Sequence, residues 1–253
     1  MGKVRLDELT GYLDAFLAVN EVPDYPGSMN GLQVEGPAEV ERIAVAVDAC
    51  EATIREAGKA SADLLLVHHG LLWGSPFRLT GPRYRRFAEL IRAEIGVYSA
   101  HLPLDIHPKV GNNAVLARAL GLEPDGGFAE HEGVAIGCHG PWRGPLDDLA
   151  VRVEDALGTE PRVLGFGPTT VARLGILTGS GGSALGEAAA AGIDTVLTGE
   201  ASHPSFFEAE ELGLNVLLAG HYATETVGVR ALAEHLEERF GTETVFVDHP
   251  TGF

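Results

Sequence analysis

Apolar positions along this chain alternate between helical spacing and short continuous runs. In RLDELTGYLDAFLAV, Leu6, Leu9, Leu13, Phe16 and Leu17 share one stripe, which predicts an amphipathic opening helix. Turn residues crowd segment 24–37, DYPGSMNGLQVEGP. Residues 43–47 form a short apolar run, read as a buried strand. A helix is predicted over 51–57, stopped by Gly58. A second apolar run, 64–67, ends at His68-His69-Gly70. A helix over 84–95 stops at Gly96, and 97–100 reads as a third strand ending at His101. A helix over 113–120 has Gly121 just past its end. The middle, 133–168, reads strand, helix, strand, with Leu149, Val151, Val153 and Leu157 on or near one helical face. Strands alternating with helices predict an α/β protein with mostly parallel or mixed sheets.

The pattern repeats. RIAVAVDACEATIREAGKASADLLLVHHG aligns without a gap on RLGILTGSGGSALGEAAAAGIDTVLTGEASH. Arg42 falls on Arg173, Glu56 on Glu187 and Asp63 on Asp194, a constant offset (173 − 42 = 131; 194 − 63 = 131), and His69 falls on Glu200. Further on, HLPLD at 101–105 falls on HYATE at 221–225, pairing His101 with His221 and Asp105 with Glu225 at an offset of 221 − 101 = 120. The reading is two intertwined, duplicated α/β repeats, 1–127 and 128–253, with polar residues at the ends of equivalent strands. Open α/β sheets bind ligands beyond those carboxyl ends, so a site between the repeats is expected.

Composition narrows the classes. The net charge is 18 − 36 = −18, which repels polyanions and makes nucleic acid a poor partner. No apolar run is long enough to span a membrane, and the charged, amphipathic N-terminus lacks a signal-peptide core. Two cysteines, Cys50 and Cys138, do not make a disulfide framework. A cytoplasmic protein is expected.

The candidate chemistry lies at the strand ends. An isolated His-His pair such as His68-His69 is read first as surface or capping histidines. Asp105 alone is read first as a turn residue, and Glu225, near the start of a helix ending about Phe240, as a capping-box carboxylate. Together they say more. His221 and Glu225, four apart, share a face if their segment is helical. Imidazoles and carboxylates in combination suit first-row divalent ions: Zn, Mn, Fe, Co or Ni. Five such ligands, His68, His69, Asp105, His221 and Glu225, exceed a four-coordinate zinc site. They fit two ions with a bridging carboxylate.

SMNGLQVEGP, LLLVHHGLLW, YSAHLPLDIHPKVGNNAVLARALGL, VLTGE and LLAGHYATE, in this order, resemble the Nif-three-like dinuclear-metal-centre family, whose members are often called GTP cyclohydrolase I type 2 homologues. The resemblance covers nearly the whole chain and is closest to the short bacterial form without the inserted domain. It implies that His68, His69, Asp105, His221 and Glu225 are the metal ligands, and that the chains assemble as a toroidal homohexamer. Ser28-Met29 stands where many relatives carry a tryptophan-aspartate pair.

His101 is expected near the ligands as a supporting or pocket group. Glu200 is either a pocket acid or a helix cap. His107, Lys109, Asn112 and Asn113 either meet a substrate anion or cap the next helix. Trp73 and Phe77 are expected to pack rather than to form a base-stacking platform. The run 179–183, GSGGS, is a weak phosphate-loop signal without the lysine of a P-loop. The function expected is a metal-dependent hydrolase acting on a nucleotide or other phosphorylated small molecule, with Glu225 catalytic. The alternatives are a non-catalytic metal-handling or metal-insertion factor and a metal-pinned scaffold.

Overall fold

The computed structural model describes residues 2–253. In chain order it contains β1 (Val4–Arg5), α1 (Leu6–Phe16), β2 (Gly31–Val34), β3 (Glu39–Val40), β4 (Arg42–Asp48), α2 (Glu51–Lys59), β5 (Leu64–His69), α3 (Gly81–Ala93), β6 (Gly96–Ser99) and α4 (Leu102–Asp105). There follow α5 (Asn112–Ala119), β7 (Gly126–His131), β8 (Val134–Pro145), α6 (Leu146–Leu157), β9 (Arg162–Gly165), β10 (Thr170–Leu177), α7 (Leu185–Ala190), β11 (Thr195–Thr198), α8 (His203–Leu212), β12 (Asn215–Leu218), α9 (His221–Phe240) and β13 (Glu243–Phe246).

The fold is mixed α/β in two compact units. One runs to Leu104 and takes in Val229–His249; the other holds Asp105–Gly228 and Pro250–Phe253. The chain changes unit between Leu104 and Asp105, earlier than the 127/128 division read from the repeat, and again at Val229 within α9. The physical reason for the return is β13. It pairs in parallel with β4 and completes the first sheet from the far end of the chain.

The first unit's sheet has the order β13-β4-β5-β6-β2 and the second unit's has β7-β8-β10-β11-β12-β9. In each, three parallel strands (β4-β5-β6; β10-β11-β12) are extended by an antiparallel strand that precedes them in sequence, β2 or β9. The duplication extends to single hydrogen bonds. Asp63 Oδ2 accepts from the backbone N–H groups of Glu41 and Arg42 at 2.8 and 2.9 Å. Asp194 Oδ2 does the same for Ala172 and Arg173 at 2.9 and 3.0 Å. All three positions are 131 apart. The next strands follow at 119: the Ala100 N–H donates to Val67 and the Ala219 N–H to Thr198 (219 − 100 = 119). Gly220, at φ +93°, is the extra residue that brings the offset at His221 to 120.

Each unit has its own apolar core. In the first, Ala44, Ala46, Leu65, Val67 and Val97 from the sheet pack on Ile54 and Leu90 from the helices. In the second, Leu174, Ile176, Leu197 and Leu217 pack on Leu149 and Val153. Leu6, Leu9 and Leu13 are buried on α1, as the stripe predicts. Several boundaries differ from the sequence reading. α2 runs through Gly58, whose missing side chain does not interrupt the helical hydrogen bonds. α3 starts at Gly81 with Pro82 in its first turn, where a missing N–H costs nothing. Val151 is 56% exposed, on the solvent side of α6. No helix among the described residues is long and apolar enough to cross a membrane.

Candidate metal-binding residues

In the first unit three imidazoles meet beyond the strand ends. His68 and His69 close β5, and His101 lies two residues past the end of β6. Their ring centroids are 4.7 Å apart for His68–His69, 4.9 Å for His68–His101 and 5.6 Å for His69–His101. One ring nitrogen from each lies within 4.8 Å of the others. Adjacent strand residues normally point to opposite faces; at the end of β5 the two rings nevertheless lie 4.7 Å apart.

Each ring is held through Nδ1 by an oxygen. His68 Nδ1 donates to the Ala100 carbonyl at 2.9 Å, because the β5–β6 register sets Val67 beside Ser99. His69 Nδ1 donates to Asp48 Oδ1 at 3.0 Å, and the β4–β5 register makes Asp48 its direct neighbour. His101 Nδ1 donates to Asp24 Oδ1 at 2.8 Å. Asp24 also accepts from Asn30 Nδ2 and from the N–H groups of Tyr25 and Leu102. Burial raises the Asp24 pKa, but the His101 hydrogen bond and charge, with the Asn30 and Tyr25 donors, outweigh it and hold the carboxyl at about 2. Asn30 accepts the His101 N–H at 2.8 Å. Loop 24–30 therefore clamps His101, and neither Asp24, Asn30 nor Asp48 was singled out from the sequence.

In the second unit His221 opens α9, and Glu225 lies one turn on. The His221 Nδ1 donates to Glu200 Oε1 at 2.9 Å. Its Nε2 lies 3.1 Å from Glu225 Oε1. The Glu225 hydrogen bond raises the His221 pKa; burial opposes it, and the Glu225 and Glu200 charges add to the rise, leaving it at about 9. Glu200 is thus the partner of a ring nitrogen, and the helix-cap alternative falls away. Gly179 packs on this pair: a Cβ there would strike Glu225 Oε1.

Asp105 ends α4, buried at 7% exposure. Its Oδ1 accepts from Asn112 Nδ2 at 2.8 Å and from Thr178 Oγ1 at 3.2 Å. Asn112 is fully buried and also accepts the Gly228 N–H at 2.7 Å. Asn113 holds the Ile136 carbonyl and the Thr178 N–H. Both asparagines are internal struts, not anion ligands. His107 is a turn residue whose Nδ1 accepts from the Lys109 and Val110 N–H groups. The GSGGS segment offers no open phosphate cradle at Gly179 and Gly181, whose N–H groups go to Thr224 and Thr198 hydroxyls. Phe77 packs against Phe87, as expected, whereas Trp73 is 39% exposed.

The partner of Nδ1 separates these histidines into two kinds. In His68, His69 and His101 Nδ1 meets an oxygen acceptor, which in the neutral ring leaves Nε2 as the nitrogen able to bind a cation; in His221 Nδ1 likewise meets Glu200, but Nε2 lies against Glu225, so an ion bound there would replace a proton. In His107, Nδ1 is an acceptor. Outer-shell oxygens on the far ring nitrogen are what metal-ligating histidines require. The donor set of both units therefore fits divalent ions.

Comparison with known proteins adds a family to this geometry. The sequence pattern of Duf34/NIF3 (NGG1p interacting factor 3) matches residues 4–251. A Deinococcus radiodurans protein named GTP cyclohydrolase 1 type 2 homolog is 46% identical over 99% of this chain and 95% of its own. One of the same name from Pyrococcus abyssi is 44% identical over 97% of this chain and 98% of its own. The crystal structure of TTHA1606 from Thermus thermophilus superposes with a TM-score of 0.89 at 46% identity, covering 99% of this chain and all of that one.

Proposed function

Because the chain belongs to the Duf34/NIF3 family, we propose that it is a dinuclear-metal protein and a metal-dependent hydrolase acting on a nucleotide or other phosphorylated small molecule. The ligands in this reading are His68, His69, Asp105, His221 and Glu225. The observation that carries it is the shared oxygen contact at Nδ1. His68, His69 and His221 each anchor Nδ1 on an oxygen, which assigns the opposite ring nitrogen, Nε2, to the ion. Capping or surface histidines have no reason to share that arrangement. His101 shares it too and is read as a supporting pocket group beside the ligands.

When bound, two divalent ions would acidify water and clamp substrate oxygens. The chain's own contributions are distinct from this. Ala100, Asp48 and Glu200 fix the ring orientations of the ligand histidines. Asn112 and Thr178 hold one Asp105 oxygen. Glu225, buried and beside His221, is the carboxylate that orients an attacking water and takes its proton. The name of the relatives makes GTP the first substrate to try. Self-association as a homohexamer belongs to the same reading and is tested by light scattering, where six times the chain mass is expected.

The deciding experiment is metal content per chain in the wild type, His68→Ala and Glu225→Ala. About two transition-metal ions in the wild type, reduced in both variants, are expected. Glu225→Gln keeps the fold and loses turnover. A wild type that takes up no metal on reconstitution overturns the centre, and full turnover by Glu225→Gln overturns the catalytic role.

A further inference from the structure

Large aromatic side chains exposed beside a polar site need a reason, since isolated surface apolar residues are ordinary but clustered ones mark contacts. In the first unit two such residues pack on a single imidazole. Trp73 meets His101 edge to face, with centroids 4.7 Å apart at 84°, and meets His69 at 6.3 Å and 83°. Tyr25 meets His101 at 5.8 Å with the rings tilted by 46°. Both residues remain open to solvent, Trp73 at 39% and Tyr25 at 44%.

Their supports are rigid. The Gly74 N–H donates to the Gly27 carbonyl at 2.9 Å, and the two glycines pack so closely that a side chain on Gly27 would collide with the Gly74 backbone. Gln33 Oε1 accepts from the Leu71 and Leu72 N–H groups, while its Nε2 donates to the Met29 carbonyl. The loops carrying Tyr25 and Trp73 are therefore tied to each other on both sides of Trp73. Asp24, next to Tyr25, is bonded to His101 itself. A preordered indole and phenol spend little conformational entropy when a flat partner arrives.

We propose that Trp73 and Tyr25 form a stacking platform that selects substrates bearing a planar aromatic ring, a nucleobase or similar heterocycle, over phosphorylated molecules without one. The inference rests on the metal-centre reading and narrows its substrate class. Stacking tolerates different rings, because each presents a π-face. The platform therefore sets the class of substrate and leaves the choice among heterocycles to other contacts.

The test uses metal-loaded wild type, Trp73→Leu and Trp73→Phe, with guanosine and adenosine 5′-monophosphates as ring-bearing probes and ribose 5-phosphate as the ring-free control. Equilibrium dialysis gives affinity, and tryptophan emission reports the contact directly. Trp142 is 8% exposed with its indole N–H on the Leu120 carbonyl, so quenching by added ligand or acrylamide reads mainly Trp73. The expected result is ligand-induced quenching in the wild type and binding about tenfold weaker or more in Trp73→Leu. Trp73→Phe recovers most of the affinity, and ribose 5-phosphate binds the wild type and Trp73→Leu alike. Metal analysis of the same samples gives equal content in all three proteins. Nucleotide binding by Trp73→Leu at wild-type affinity overturns the platform, as does ribose 5-phosphate binding as tightly as the nucleotides. Metal-loaded wild type that binds neither nucleotide also overturns it and leaves the metal centre standing. A chain without metal in every preparation removes the centre and the platform's role with it, and metal analysis shows this independently of emission.

Discussion

Asn112→Ala removes the strut that holds a proposed metal ligand, and in chelator its effect is readable as stability. The residue is fully buried. It donates to the Asp105 carboxylate at 2.8 Å and accepts from the Gly228 N–H at 2.7 Å. The first bond is charge-assisted and contributes about 1.5–3 kcal/mol; the second is neutral and contributes about 0.5–1.5 kcal/mol. Alanine offers neither partner a replacement, so a loss of about 3 kcal/mol is expected. For a chain of this size that lowers Tm by roughly 6–12 °C. The assay is thermal denaturation followed by circular dichroism in excess chelator, repeated in urea to confirm that the midpoint moves and the slope does not. Asn112→Asp separates shape from charge. It keeps the volume but sets a second carboxylate against Asp105, so its destabilisation should be larger at about pH 8 than at about pH 5, where the pair can share a proton. A Tm within about 2 °C of wild type for Asn112→Ala would refute the reasoning, because it would mean less than about 1 kcal/mol from two buried bonds.

Three other substitutions probe the remaining supports. Glu200→Ala should weaken metal binding about 10–100-fold by calorimetry, with Glu200→Gln in between; unchanged affinity would deny Glu200 its role in orienting His221. Gly179→Ala should destabilise by at least about 1–2 kcal/mol from its φ of +68° alone, and should also lower metal content by displacing Glu225. Normal metal content in that variant would show that the helix start yields more easily than the geometry suggests. Asp24 has a folded-state pKa of about 2 against an ordinary 3.8, so its stabilisation is present above the ordinary value and is lost as pH falls toward 2. Acid unfolding between those values should be shallower in Asp24→Asn, and an identical profile would exclude Asp24 as a contributor.

The repeat was legible because its signature is local to each β-α-β unit. Asp63 and Asp194 each precede one strand and bond the N–H groups of the neighbouring strand before it, and an offset of 131 survives in sequence because nothing is inserted between the paired hydrogen bonds. The His-His pair and His221-Glu225 were legible for a similar reason: each motif sits just past an apolar run, and the structure brings the partners of each together. The exchange of the chain between units was not legible, because β13 carries no mark saying which sheet it joins. Its partner β4 lies some two hundred residues earlier, and neither the backbone ladder nor the Arg42–Glu243 ion pair that joins the two strands has a local sequence signature.

Of the oxygens that orient the histidines only Glu200 was named from the sequence, and the others were hidden for a different reason. Ala100 contributes a main-chain carbonyl, which no residue type reveals. Asp24 comes from a loop 77 residues before His101. The remaining one, Asp48, belongs to no motif, yet it is the cross-strand neighbour of His69 in a parallel pair. Aligning the strands by Ile43 opposite Leu64 carries the register to Asp48 opposite His69, which identifies the ring's partner before any side chain is placed. Residue type therefore locates candidate ligands, whereas strand register locates the groups that aim them. A sequence search for such centres gains most by asking which acid lies across the ladder from each strand-end histidine.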